Sequence, residues 1–227
     1  MHRMILLCLM LATLAAAPLR VQITTGGHPH NISFYAMFAD RDDLEVTVNP
    51  HPSAFRRDLR KFVDVLVLYD LADVTDEAER GNLRSFLESG GGLVVLHHAL
   101  ADNWQWKWWY EEVVGGRYLM GTDGEMPRST AKEGEVLSVR PVAGHPILEG
   151  VGTLNLKDEV YQGMWHSPRS RVLMETDNPH NDKAVVWIGP WKQSRVVAIQ
   201  MGHGPGAHRD PAYRRLVLNA ILWAGGK

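Results

Sequence analysis

Histidines follow three of the predicted β-strands. His28 comes after the first strand, His97 and His98 after a central one, and His203 after the last. Ligands of a doubly wound sheet bind beyond the carboxyl ends of its strands, so these side chains are expected to converge in one cleft. A neutral imidazole can abstract a proton near neutral pH or bind a metal ion. A single histidine in such a position is often structural, but the adjacent pair favours at least one functional residue.

An aromatic segment follows this pair. A helix is predicted from Asp102 or Asn103 to Gly115-Gly116, in which the rings at positions 104 and 108 share one face and those at 106 and 110 share another. One face can serve the core, and the other could line a cleft and pack on the C–H face of a sugar. Packing of these rings in the core or at an interface is an equal alternative.

The first residues predict export. Arg3 is basic, residues 4–14 are apolar and residues 15–17 are small, which is the pattern of a signal peptide over residues 1–17. The apolar run is shorter than the roughly 20 residues of a transmembrane helix, so no stable membrane insertion is expected after cleavage. A periplasmic or secreted protein is the expectation. An apolar leader before a buried first strand is the alternative, and Pro18 leaves the cleavage position open.

Composition limits the classes of function. Residues 18–227 fit one α/β domain with a full-sized core. The formal net charge is -2, with acidic and basic residues interspersed, which argues against a nucleic-acid partner. The single cysteine, Cys8, lies in the predicted leader, so neither a disulfide nor a cysteine nucleophile is expected in the mature chain.

Apolar segments alternate with helical patterns, which predicts a doubly wound, mostly parallel sheet with helices on both faces. Residues 63–69 are the clearest strand, because they are nearly all apolar, as in a central strand that is buried on both sides. The next helix is expected to begin at the N-cap Thr75 and to end at Gly90. Glycines 90–92 follow a helix, whereas phosphate-binding glycines follow a strand, so no nucleotide cofactor is expected.

The second half adds strands to this sheet. They are predicted at residues 134–140, 171–176, 184–188 and 195–200, the last two paired across a turn at Gly189-Pro190. The final helix is expected to have Asp210 as its N-cap and Pro211 as its first residue.

Short motifs in a fixed order carry a family resemblance. They are Gly26-Gly27-His28, Gly91-Gly92-Leu93-Val94-Val95-Leu96-His97, Gly115-Gly116-Arg117-Tyr118, His145-Pro146, Asp158-Glu159-Val160-Tyr161, Gly202-His203 and Ile221-Leu222-Trp223-Ala224. Together they resemble the ThuA-like (trehalose utilisation) family over almost the whole mature chain. The resemblance implies a class I glutamine amidotransferase-like (flavodoxin-like) fold with His97 near the nucleophile elbow. Because those amidotransferases need a cysteine there, their activity is not expected here.

The family resemblance also implies a small carbohydrate partner, such as trehalose or a related glycoside that has been oxidised to its 3-keto form. A 3-keto group acidifies the neighbouring C–H bond, so a lyase, hydrolase or isomerase could act by proton abstraction. The expected catalytic residues are His97, His203 and Tyr161, and the expected substrate-binding residues are His98, Trp104, Trp108, Tyr110 and Asp158. Loss of His97 is expected to damage function most while changing stability little.

A divalent metal, zinc or manganese, could assist by polarising the ketone. The possible ligands are His28, His97, His203 and Glu159, which are of the N/O type that these ions accept. Their spacing forms no metal-binding motif, so only the fold could assemble them. Each has a plainer alternative: Asp158 and Glu159 as an exposed loop, His28 as a turn residue, and Tyr161 as a packed aromatic.

A second class of function stays open at this point. The chain could be a non-catalytic carbohydrate-binding or accessory protein that uses its cleft for recognition alone. The histidines favour an enzyme, whereas the lack of a recognisable nucleophile or of paired catalytic carboxylates favours binding.

Overall fold

A computed structural model describes residues 17–227. The predicted signal peptide, apart from its last residue, lies outside the described residues. Within them, no helix combines the length and the apolar character needed to cross a membrane.

The described chain contains eleven strands and three α-helices. The strands are β1 (Leu19–Gly26), β2 (Leu44–Val48), β3 (Val65–Asp70), β4 (Gly92–Leu96), β5 (Gly116–Arg117), β6 (Thr130–Pro141), β7 (Leu154–Gln162), β8 (Trp165–His166), β9 (Arg171–Thr176), β10 (Ala184–Ile188) and β11 (Val196–Ile199). The helices are α1 (Glu77–Glu88), α2 (Pro205–Arg209) and α3 (Pro211–Ala224). Shorter 3-10 turns cover Ile32–Met37, Leu59–Lys61, His97–Ala101 and Pro146–Leu148, and a π-helix covers Trp108–Val114.

Nine strands form one sheet in the order β2-β1-β3-β4-β11-β10-β9-β6-β7. The strands from β2 to β11 are parallel, and every pairing from β11 to β7 is antiparallel. The central strands β3, β4 and β11 are buried throughout, which accounts for their continuous apolar sequences. The predicted α/β class with added C-terminal strands is confirmed.

Helices cover both faces of the sheet, as expected. The helix α3 buries Tyr213, Leu216 and Val217 against one face, and α1 buries Leu83 and Phe86 against the other. At the start of α3, the Asp210 carboxylate accepts hydrogen bonds from two backbone N–H groups, so the predicted N-cap is confirmed. At the start of α1 the N-cap is Asp76 and not Thr75.

The predicted helix between Asp102 and Gly115 is wrong over its first half. Asn103 adopts a left-handed backbone (φ 51), which interrupts a helix. The side chains of Asp102 and Asn103 instead accept hydrogen bonds from the backbone N–H groups of Ala72 and Val74, at 2.8 and 2.7 Å. Helical backbone resumes only beyond Trp106, so the expected pairing of rings on common helix faces does not form.

The strand β7 has no counterpart among the predicted strands, and it carries Asp158 and Glu159, so the exposed-loop alternative for these residues is wrong. It pairs with β6 along most of its length. Only residues 139–141 of β6 pair with β9, so the β6–β7 hairpin extends beyond the rest of the sheet. A bulge in β6 between Lys132 and Glu135 adds local twist to this extension.

Candidate functional site

His97 occupies the corner where β4 turns into a 3-10 helix. Its backbone is left-handed (φ 50), which is unusual for a residue other than glycine and marks a locally strained position. The side chain is completely buried. A strained strand-to-helix corner of this kind is also how nucleophile elbows present a reactive side chain.

Both ring nitrogens of His97 have partners. Nδ1 lies 2.7 Å from the backbone carbonyl oxygen of Gln200, which can only accept, so Nδ1 carries the hydrogen. Nε2 lies 3.0 Å from a carboxylate oxygen of Glu159 and 3.0 Å from the Tyr161 hydroxyl. When the ring is neutral, it presents a lone pair at Nε2, which can accept a hydrogen bond from Tyr161. The same lone pair repels the Glu159 carboxylate unless a proton or a cation lies between them.

The strand β7 supplies side chains to the site from both of its faces. Glu159 and Tyr161 are two residues apart and reach the same atom of His97, as the period of a strand requires. Asp158 points the other way and accepts hydrogen bonds from the backbone N–H groups of Gly202 (2.6 Å) and His203 (3.0 Å). Both carboxylate oxygens of Asp158 are thus engaged in fixing the loop that carries His203.

The expected histidines converge at the carboxyl edge of the sheet. The ring of His203 lies 5.2 Å from that of His97 and 6.0 Å from that of His28, measured between centroids. The His98 ring lies between the rings of His28 and Tyr69, at 4.8 and 4.3 Å. His97 and His98 are buried, whereas His28 and His203 are partly exposed at the mouth of the cluster.

The polar environment differs between the two adjacent histidines. His98 donates from Nδ1 to the carbonyl oxygen of Asp70 at 3.1 Å, and its buried Nε2 has no hydrogen-bond partner among residues 17–227. Burial, followed by the charges of the neighbouring histidines, lowers the pKa of His98 to about 2, so this ring stays neutral. His98 is therefore unsuited to carry a positive charge in the cleft.

Two further groups have shifted pKa values. Burial alone would raise the pKa of Glu159, but the hydrogen bond with His97 and the charges of His97 and His203 lower it overall. Burial, reinforced by the charge of Glu159, raises the pKa of Tyr161 well above its usual value. At neutral pH the site thus combines a carboxylate with a protonated phenol, which can donate a hydrogen bond.

Three of the four expected metal ligands form a compact group. One ligand atom each from His97, Glu159 and His203 lies within 4.8 Å of the others. The donor set of two imidazoles and one carboxylate suits zinc or manganese, and the Gln200 carbonyl orients the His97 ring as outer partners of metal-binding histidines do. These residues fit a divalent ion. His28 lies beside the group without belonging to it, and its Nδ1 is 2.7 Å from the Pro29 carbonyl oxygen.

The expected aromatic residues contact other parts of the structure. Trp108 packs against Trp191, with the Arg84 guanidinium 4.2 Å above its ring. The ring of Tyr110 lies under the Arg117 guanidinium at 3.7 Å and beside Trp165.

The third of these residues, Trp104, accepts a hydrogen bond from the same Arg117 guanidinium at its backbone carbonyl oxygen. An aromatic ring that does lie next to the histidine cluster is that of Tyr118, which packs edge-on against Tyr161 at 4.8 Å. In the sequence, Tyr118 is part of the motif Gly115-Gly116-Arg117-Tyr118, which predicted no role for this ring.

A large cavity lies away from the histidines. It has a volume of about 790 Å³ and is bordered by Leu19, Gly91, Ser194 and Arg195, at the amino ends of β1, β4 and β11. The histidine cluster and this cavity therefore lie at opposite ends of the strands. The histidine cluster is the candidate functional site, because the convergent polar groups are there.

Comparisons with known proteins agree with this architecture. A family model described as ThuA, trehalose utilisation, matches residues 20–224. No curated protein sequence matches the chain.

Several solved structures are similar to the chain. A ThuA-like protein from Parabacteroides merdae has a TM-score of 0.79 and 17% identity, covering 92% of this chain and 91% of that one. A ThuA-like protein from Bacteroides uniformis has a TM-score of 0.64 and 19% identity, covering 95% of each chain. A β-galactosidase from Bacillus circulans has a TM-score of 0.62 and 11% identity, covering 92% of this chain but 31% of that enzyme. At these identities the likeness shows the fold alone, and it confirms the predicted class I glutamine amidotransferase-like architecture.

Proposed function

We propose, since the chain belongs to the ThuA family of trehalose utilisation, that it processes a disaccharide or related glycoside at the histidine cluster. The observation that carries this proposal is the buried group formed by His97, Glu159 and His203, with the Tyr161 hydroxyl at the same atom of His97. The family description supports a carbohydrate, and the geometry supports acid–base or metal-assisted chemistry on it.

A 3-keto glycoside is the substrate that this chemistry suits best. Its ketone acidifies the adjacent C2–H bond, so an imidazole can remove that proton. The glycosidic C1–O bond can then break by elimination, which forms a C1–C2 double bond and releases the second sugar as its oxygen takes up a proton. The Tyr161 hydroxyl, held protonated by burial, can donate a hydrogen bond to the oxygen on which negative charge develops. The Asp158 carboxylate accepts from the backbone N–H of His203 and so fixes the residue that carries this imidazole.

In the metal-assisted form of this proposal, the imidazoles of His97 and His203 bind a divalent ion, zinc or manganese, and neither ring is then the base that removes the proton. His97, His203 and Glu159 would hold it, and when bound it would supply Lewis-acid polarisation of the ketone. Glu159 would also neutralise part of the ion's charge. The ion would relieve the repulsion between the His97 lone pair and the Glu159 carboxylate.

The test combines metal analysis with an assay. The purified mature protein is analysed for bound metals and incubated with trehalose, 3-keto-trehalose and other 3-keto-glucosides. We expect turnover of a 3-keto sugar. We expect Glu159→Gln to abolish most turnover and to weaken metal binding by more than the roughly 10- to 100-fold that is typical for loss of a residue that only orients a ligand. Glu175→Gln is the matched control, because Glu175 also lies on a strand but pairs with Lys183 at the surface.

Two results would change the assignment. Full turnover without any bound metal would exclude the metal-assisted mechanism and leave acid–base catalysis by the histidines as the remaining one. Tight binding of the sugars without turnover of any of them would identify a non-catalytic binding protein.

A further inference from the structure

His208 is a buried histidine that the proposed chemistry does not use. It lies in α2, five residues after His203, and its side chain has no exposed surface. Nδ1 is 2.9 Å from the Ser33 hydroxyl, and Nε2 is 2.9 Å from the carbonyl oxygen of Gly202 and 3.2 Å from the hydroxyl of Tyr69. A buried ring with this many polar contacts connects several segments at one point.

The hydrogen positions in this network follow from its acceptors. The Gly202 carbonyl can only accept, so Nε2 carries the hydrogen and Nδ1 is left as the acceptor for the Ser33 hydroxyl. The Tyr69 hydroxyl also donates to the carbonyl oxygen of Gly202, at 2.8 Å. Burial lowers the pKa of His208, which agrees with a neutral ring.

The peptide group before His203 is consequently held from both sides. Asp158 accepts from the N–H of His203, while His208 and Tyr69 donate to the carbonyl oxygen of Gly202. A rotation of this peptide would displace the His203 imidazole, and every hydrogen bond in the set opposes that rotation.

The other end of the network leads to the segment of His28. Ser33 lies in the 3-10 helix Ile32–Met37, which follows the loop that carries His28. Arg214 makes a second connection between the same regions, donating to the carbonyl oxygens of His208 (2.8 Å) and Ala36 (2.9 Å). The loops of His28 and His203 are thus tied together through side chains that lie outside the cleft.

We infer that His208 is a positioning residue that sets the His203 imidazole relative to His28, acting through Gly202 and Ser33. This inference deepens the proposed function, because it assigns a supporting residue to the same site. It predicts that changes at His208 or Ser33 alter the arrangement of the cluster without removing any group from it.

The test uses ring signals of histidines in the metal-free, full-length protein. NMR spectra that correlate ring nitrogens with ring protons are recorded for the wild type, His208→Phe, His208→Gln and Ser33→Ala. His203→Gln and His28→Gln identify the signals of those two rings. We expect His208→Phe and Ser33→Ala to shift the His203 signals, and His208→Gln, which can still donate to Gly202, to shift them less. The signals of His180, an exposed histidine that belongs neither to the cluster nor to the network around His208, serve as an internal control.

Binding of Co²⁺ alone provides a second readout. We expect His208→Phe to weaken Co²⁺ binding about tenfold and to alter the visible spectrum of the ion. If His208→Phe does not fold, Ser33→Ala decides the matter, because it removes one hydrogen bond and little volume. Unchanged His203 signals in a folded His208→Phe or in Ser33→Ala would overturn the inference. Failure of the wild type to convert any sugar would instead count against the proposed function, because the NMR comparison needs neither substrate nor metal.

Discussion

His97 and Glu159 meet at 3.0 Å although 62 residues separate them in the chain. His97 directly follows β4 near the middle of the sheet, whereas Glu159 lies on β7, the last strand in the sheet order. The two can meet because the β6–β7 hairpin extends past its partner β9 and reaches the carboxyl edge of the parallel strands. The antiparallel half of the sheet therefore supplies the acid, and the parallel half supplies the histidines.

The first prediction compares His97 with its neighbour. Because His97 is fully buried and hydrogen-bonded at both nitrogens, His97→Ala would cost stability as well as function, contrary to the expectation from sequence. His97→Asn is the better variant, since asparagine tolerates a positive φ and keeps a polar group. We expect its turnover of a 3-keto-glucoside to fall by about 10²- to 10⁴-fold.

The control is His98→Asn at the adjacent buried position. We expect it to retain more turnover than His97→Asn, because His98 contacts neither Glu159 nor Tyr161 in the described structure. Thermal unfolding and steady-state kinetics are measured on both variants. A His97→Asn protein with wild-type turnover would show that His97 has no catalytic role.

The second prediction concerns the backbone that presents His203. Gly202 has a φ of 124, and a Cβ atom there would overlap the hydroxyl of Tyr213. We expect Gly202→Ala to lower the free energy of unfolding by about 1–3 kcal/mol and to reduce turnover further than the loss of folded protein explains. Gly204→Ala is the matched control, since nothing lies within 4 Å of a Cβ there and its φ is negative. Equal stability and activity of the two variants would contradict the prediction.

Much of the fold could be predicted from the sequence, because the central strands and α3 are specified locally. Strands β9 and β10 have their predicted bounds, and Asp210-Pro211 starts α3 as predicted. The strand β7 was missed because Asp158 interrupts its apolar face. Leu154, Leu156 and Val160 alternate as a strand requires, so the signal was present but weakened by the carboxylate of Asp158.

The site was predictable only in part. His28, His97 and His203 each follow a parallel strand, and the carboxyl ends of parallel strands meet at one edge of the sheet. Their convergence could therefore be predicted from the topology alone. The contacts of Glu159 and Tyr161 with His97 depend on how far the antiparallel hairpin extends, which no local pattern reveals. The helix expected to hold Trp104 and Trp108 fails at Asn103, whose side chain bonds to another loop in preference to the helix.

The third prediction concerns the leader. The strand β1 begins at Leu19, whose backbone N–H donates to the carbonyl of Asp43, so cleavage before Pro18 would leave the described sheet intact. We expect the mature protein to begin near Pro18 and to occur outside the cytoplasm. N-terminal sequencing of the protein from its native host checks this, and an intact Met1 on cytoplasmic protein would refute it.

The fourth prediction starts from two buried carboxyl groups beside the cluster. Asp70 and Asp102 are almost fully buried, and one oxygen of each has no hydrogen-bond partner among the described residues. Burial, followed by the charge of Asp70, raises the pKa of Asp102 well above its usual value of 3.8. Above pH 3.8 the unfolded chain releases this proton while the folded protein keeps it. Stability therefore falls as the pH rises from there toward the raised pKa of the folded state.

Asp102→Asn removes this pH dependence while preserving shape. Its amide oxygen can still accept from Ala72, and its amide N–H can donate to the unpaired oxygen of Asp70. We expect the variant to be more stable than the wild type by about 1 kcal/mol or more at pH 8, with the difference shrinking toward pH 4. Urea unfolding across this pH range measures it, with the exposed Asp42→Asn as the control, because the charge of Asp42 is not among the causes that raise the pKa of Asp102. Parallel stability curves for Asp102→Asn and the wild type would show that Asp102 is ionised in the folded protein.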